Sequence, residues 1–106
     1  MRTRIKQPAA YNYATGVMRV LSEDFPGLAD ETTRSIVEEA VERHALNPKD
    51  TLEVIVDNPT LANWRLKADR NDPCRVRLSC YRFNETDSDR ERVQRINTAL
   101  AALSLR

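Results

Sequence analysis

Residues 51–83 read TLEVIVDNPTLANWRLKADRNDPCRVRLSCYRF. Apolar and polar residues alternate three times over in this stretch, at Thr51–Asp57, Asn63–Arg70 and Cys74–Phe83, with Asn-Pro and Asn-Asp-Pro between the runs. Period-two alternation marks a strand buried on one face, because successive side chains leave a pleat on opposite sides. Three such runs predict an antiparallel meander covered on one side only. Leu52, Val54, Val56, Trp64, Leu66, Ala68, Cys74, Val76, Leu78 and Cys80 fall on the inner face. The outer face receives Glu53, Ile55 and Asp57, then Arg65, Lys67 and Asp69, then Arg75, Arg77, Ser79, Tyr81 and Phe83. Pro59 and Pro73 stand between runs, where a missing N–H costs no ladder bond.

The flanks are helical in pattern. Ala14, Val17, Met18 and Leu21 recur at three-four spacing and predict a first helix from about Ala10 to Ser22. Gly16 weakens it by up to ~1 kcal/mol relative to Ala. A glycine there either marks close approach of another element or is simply tolerated. Phe25-Pro26-Gly27 ends the helix, and Phe25 and Leu28 are expected to plug one end of the core. Asp30 is a good N-cap for a second helix, with Ile36, Val37, Ala40, Val41 and Ala45 buried and Glu38, Glu39 and Glu42 in water. Asn47-Pro48 stops it. Ser88-Asp89-Arg90-Glu91 fits a capping box, so the last helix is expected to begin near Ser88, with a narrow stripe of Val93, Ile96, Leu100 and Leu103. The fold class is therefore α+β in the order α-α-β-β-β-α. Residues 1–9 read as a flexible basic arm and residues 10–106 as one domain.

Composition narrows the chemistry. The chain has 106 residues, enough for one core and little more. Two glycines leave no Gly-rich phosphate loop, and the single histidine, His44, has no nucleophile beside it in sequence. His44 falls in the last turn of the second helix, where an imidazolium would suit the negative dipole end. Cys74 and Cys80 lie about 20 Å apart along one strand, too far for a disulfide, and no Cys-x-x-Cys accompanies them. Carboxylate pairs such as Glu38 and Glu42 sit on a solvated helix face, unlike the desolvated groups of acid-base catalysis. No enzyme activity, metal or cofactor is expected. No run approaches the ~18 residues of a membrane span, and no h-region follows the basic start, so a cytoplasmic location and no membrane partner are expected.

The net charge of +1 hides a strong segregation. Residues 1–22 carry Arg2, Arg4, Lys6 and Arg19 and no acid. Residues 23–49 carry seven acids and three bases, and residues 50–62 carry three acids and no base. Residues 63–84 reverse this with six bases and two acids. Such a dipolar chain is satisfied internally, by a second copy or by a partner.

Two local resemblances stand beside this reading. Arg77-Leu78-Ser79-Cys80-Tyr81-Arg82-Phe83-Asn84, followed by acids and an amphipathic helix, resembles the C-terminal segment of class V aminotransferases and cysteine desulfurases. In that family the arginine contacts a substrate carboxylate, and the resemblance would give this role to Arg77. The likeness covers about 25 residues, and the large pyridoxal-phosphate domain with its lysine has no room here, so it implies a strand-turn-helix without the enzyme. Val17 to Val41, through Phe25-Pro26-Gly27-Leu28, resembles the helix pairs of small bacterial three-helix dimerisation modules.

The sharpest functional expectation is a small non-catalytic protein-binding module, an adaptor, inhibitor or regulator of the phage or plasmid accessory kind, possible also as a homodimer. Its partner surface would comprise Arg65, Lys67, Arg75, Arg77 and Tyr81, with Arg2, Arg4 and Lys6 as a secondary contact. The alternative is nucleic-acid binding by the same residues, since guanidinium groups among aromatics suit phosphates and stacked bases. Glu53 and Asp57 on the same face, and near-neutral overall charge, weigh against it.

Overall fold

A computed structural model describes residues 7–58 and 60–104. The order is α1 (Gln7–Ser22), a short 3-10 turn (Pro26–Ala29), α2 (Glu31–Leu46), β1 (Glu53–Asp57), β2 (Ala62–Ala68), β3 (Val76–Arg82) and α3 (Asp87–Ala101). The strands form one antiparallel sheet in the order β1-β2-β3. All three helices lie on its inner face. α2 runs along β1, α3 along β3, and α1 touches both other helices.

One core joins the layers. Trp64, Leu66, Val76 and Leu78 from the sheet meet Tyr13, Val17 and Leu21 of α1, Val37 and Val41 of α2, and Ile96 and Leu100 of α3. Phe25 and Leu28 are buried as the pattern predicted, and Phe25 packs on Trp64 with ring centroids 5.4 Å apart. Arg92 of α3 lays its guanidinium over both rings, 5.0 Å from the Trp64 centroid and 5.9 Å from that of Phe25. Gly16 does mark a close approach: a Cβ there would stand 3.2 Å from Leu103 Cδ2. His44 is structural and ties α2 to the β2–β3 turn, its Nε2–H donating to the Pro73 carbonyl at 2.6 Å.

Several expectations are corrected. α1 begins at Gln7, so residues 7–9 belong to the helix and not to an arm. Pro8 sits in its first turn, where the N–H it lacks would have no intrahelical acceptor. Ile36 is 59% exposed. It lies ~100° of helical rotation away from Val37, and the buried stripe continues through Val41, His44 and Ala45. The cap of α3 is Thr86, two residues before the predicted Ser88. Thr86 Oγ1 accepts from the Asp89 N–H at 3.1 Å, and Asp89 Oδ2 accepts from the Thr86 N–H at 3.1 Å. Aspartate thus does the work the sequence pattern assigned to Glu91. The Thr86 N–H, more than any other group, holds the Asp89 carboxyl below the usual carboxylate range, and Arg82 Nε lies 2.9 Å away. Strand β1 is irregular between Ile55 and Asp57, where the register shifts and sets Asp57 opposite the core residue Trp64. A bulge of this kind breaks alternation, so Asp57 leaves the outer row while Val56 stays buried. Finally, β3 opens at Val76, so Cys74 and Arg75 precede it, and it closes at Arg82, so Phe83 lies in the following bend.

Candidate functional site

Among the described residues no helix covers the outer face of the sheet. Register places Glu53 opposite Lys67, Ile55 opposite Arg65, Arg65 opposite Ser79 and Lys67 opposite Arg77. Tyr81 stands opposite Asn63, one step along the same row. Its ring reaches back between the two cations of β2. The Arg65 guanidinium and the Lys67 ammonium each lie 5.5 Å from its centroid. Lys67 Nζ also donates to the Tyr81 hydroxyl at 2.8 Å. That bond, ahead of any other influence, holds the Lys67 ammonium above the ordinary lysine range, so it is charged at every physiological pH.

The predicted residues divide into three groups. Arg65, Lys67, Arg77 and Tyr81 come together on this face. Arg65 is partly neutralised there by an ion pair with Glu53. Arg75 stands apart, because it closes the fold: its Nη1 donates to the carbonyls of Ala101 and Leu103 at 3.0 Å each, and its Nε lies 3.4 Å from Asp72. A guanidinium at these last carbonyls satisfies groups that a helix C-terminus leaves orphaned. Arg2, Arg4 and Lys6 lie outside the described residues.

Lys67 and Arg77 are the unusual pair. Two like charges directly opposite one another destabilise a sheet. Neither makes an ion pair with a carboxylate among the described residues. Exposed apolar groups share the face with them. Ile55 and Tyr81 are exposed on the sheet, and one residue past the final Ala62–Arg82 pair lie Leu61, 70% exposed, and Phe83, 98% exposed. Arg77 also forms the wall of a groove of about 430 Å³ along α3, with Glu85, Arg90, Gln94 and Thr98.

No protein family, curated protein or solved structure matches this chain. The chemistry of the face is what remains to be read. The other displaced titratable groups have structural duties. Tyr13 is pushed up by burial while its hydroxyl accepts from the Val76 N–H at 2.9 Å. Asp30 is lowered by the Thr33 N–H that it caps. Burial raises the half-buried Cys80 thiol, away from thiolate chemistry. Among the described residues no cluster of His, Cys, Asp or Glu is placed to hold a metal ion, and no helix is long and apolar enough to cross a membrane.

Sequence reasoning passed over Leu61, which the structure exposes in the turn before β2. It also missed Asn97, whose amide bonds the backbone of Leu78: Oδ1 accepts from the N–H at 2.6 Å, and Nδ2 donates to the carbonyl at 3.0 Å. With Tyr13 on Val76, this closes the outer edge of β3. The only sequence signal was an amide set beside the apolar stripe of α3.

Proposed function

We propose that this chain is a small non-catalytic module that binds a protein partner through the uncovered sheet face, as an adaptor, inhibitor or regulator of that partner. One observation carries the reading. Lys67 and Arg77 face each other, neither in an ion pair with a carboxylate among the described residues, on the face that exposes Tyr81 and Ile55. Such a pair costs stability in the free chain, and a carboxylate brought by a partner removes that cost. Aromatic and aliphatic groups ringed by cations match the make-up of protein interfaces, which concentrate Tyr, Phe and Arg. Nucleic acid is favoured less, because Arg65 is engaged by Glu53 and Arg75 by carbonyls at the end of α3, which leaves Lys67 and Arg77 as the cations of the cluster with no carboxylate ion pair among the described residues.

The test is affinity capture from cells that express the chain, comparing wild type with the double reversal Lys67→Glu/Arg77→Glu and with Glu38→Lys on the opposite side. A protein held by wild type and Glu38→Lys but lost from the double variant supports the proposal. Equal retention by the double variant refutes it. Capture that nuclease abolishes assigns the face to nucleic acid instead.

A further inference from the structure

The two edges of the sheet are treated differently. At β3 the N–H of Val76 is taken by Tyr13 and both polar groups of Leu78 by Asn97. At β1 nothing comparable occurs among the described residues. The register identifies its free groups. Leu78 turns its N–H and C=O towards Asn97, so it and Leu66 opposite are a non-hydrogen-bonded pair. Leu66 therefore turns its own groups to Val54. By alternation the neighbours of Val54, namely Glu53 and Ile55, point their N–H and C=O away from the sheet. Among the described residues no backbone or side-chain bond reaches them.

A groove of about 260 Å³ runs beside this edge, lined by Ala40, Arg43, His44 and Asp50 with Leu52 and Val54 of the strand side. Room and backbone groups are thus present for another strand. Charge selects the occupant. Residues 50–62 hold Asp50, Glu53 and Asp57 and no base, and of these acids only Glu53 forms an ion pair among the described residues, with Arg65. A second copy would bring the same three acids to this edge. The bulge after Ile55 shortens the usable edge further. Both features blunt an edge against its own kind. The acids favour a cationic segment, and a short one needs only the groups of Glu53 and Ile55 that lie before the bulge.

We infer that the free edge of β1 takes up a short extended segment of a protein partner, bearing lysine or arginine at alternate positions, as a fourth strand. Backbone bonds to Glu53 and Ile55 supply the attachment, an apolar residue covers Ile55, and cations meet Asp50 and Asp57. This surface does not depend on the Lys67–Arg77 pair.

The probe is a capped heptapeptide alternating lysine and valine, with a glutamate–valine peptide as its counterpart, titrated into the full chain and followed by amide resonances. The lysine peptide shifts Glu53 and Ile55 and slows their hydrogen exchange, whereas the glutamate peptide does neither. Ile55→Pro removes an outward N–H without touching the ladder, and it abolishes binding. Should that variant fail to fold, Asp50→Lys/Asp57→Lys keeps the backbone intact and loses binding of the lysine peptide. Lys67→Glu/Arg77→Glu does not abolish it, so the two surfaces are told apart. Equal binding of both peptides, undiminished binding by folded Ile55→Pro or by the Asp50/Asp57 variant, or shifts at Glu53 and Ile55 that follow protein concentration without peptide would each overturn the inference.

Discussion

Replacing Asn97 by alanine tests how the β3 edge is closed. The change removes two hydrogen bonds, one to each polar group of Leu78. At about 1 kcal/mol net for each bond the loss is about 2 kcal/mol. Leu78 is buried, so its N–H and C=O recover little water, and an orphaned group adds about 1 kcal/mol or more. Alanine returns up to ~0.7 kcal/mol of helix propensity, since Asn97 lies inside α3. The expected net loss is about 2–3 kcal/mol. For a domain of this size that lowers Tm by about 10 °C. Urea unfolding monitored by Trp64 fluorescence gives the free energy, and hydrogen exchange gives the site: the Leu78 amide should lose protection relative to Leu66. Asn97→Asp retains the acceptor for Leu78 N–H and loses the donor, so it separates the two bonds. A loss below about 0.5 kcal/mol, within the range of ordinary surface substitutions, with the Leu78 amide still protected, would refute the reasoning.

Two further substitutions probe local features. Thr86→Ala should cost about 1 kcal/mol in urea unfolding while Ser88→Ala is nearly neutral, because the cap of α3 is Thr86; the reverse order would restore the cap to Ser88. Tyr13→Phe leaves the Val76 N–H without its acceptor and should cost about 1–3 kcal/mol. Tyr13 also makes stability fall in alkali. Burial raises its folded-state value above the ordinary 10.0, so its contribution is complete below about pH 10 and is lost as pH rises through the folded value. Thermal unfolding between pH 9 and 12 should therefore show a smaller alkaline decline in Tyr13→Phe than in wild type.

The sheet was legible because its signal is local. Alternation of Trp64, Leu66, Val76 and Leu78 fixes which face is buried, whereas which residues stand opposite one another came from the structure. The outer cluster of Arg65, Lys67, Arg77 and Tyr81 was legible for the same reason. What failed depends on neighbours far away in sequence. Asp57 left the outer row because a bulge inserted Val56, and the pattern through Val56 reads the same with or without one. Arg75 has the right spacing for the face, yet its guanidinium is drawn to carbonyls 26 and 28 residues onward. Ile36 satisfies hydrophobicity but not angular position, and His44 fills the stripe on α2 instead. The edge closure by Asn97 and Tyr13 joins residues separated by 19 and 63 positions, beyond any local pattern. Charge segregation was visible as a chain property. Its division between internal pairs such as Arg65–Glu53 and the Lys67–Arg77 pair, which has no carboxylate ion pair among the described residues, required the register.

The central claim, that the uncovered sheet face is occupied by a protein, is tested most directly by photocrosslinking in living cells. p-Benzoylphenylalanine is placed at position 81 in one experiment and at position 11 in another. Tyr81 and Tyr11 are comparably exposed, at 46% and 55%, but Tyr81 lies on the sheet face and Tyr11 on α1. Irradiation should give a discrete protein adduct from position 81 and none from position 11, and Lys67→Glu/Arg77→Glu should remove the adduct. Adducts of the same size and yield from both positions, or none from position 81 with a partner still captured, would contradict the account.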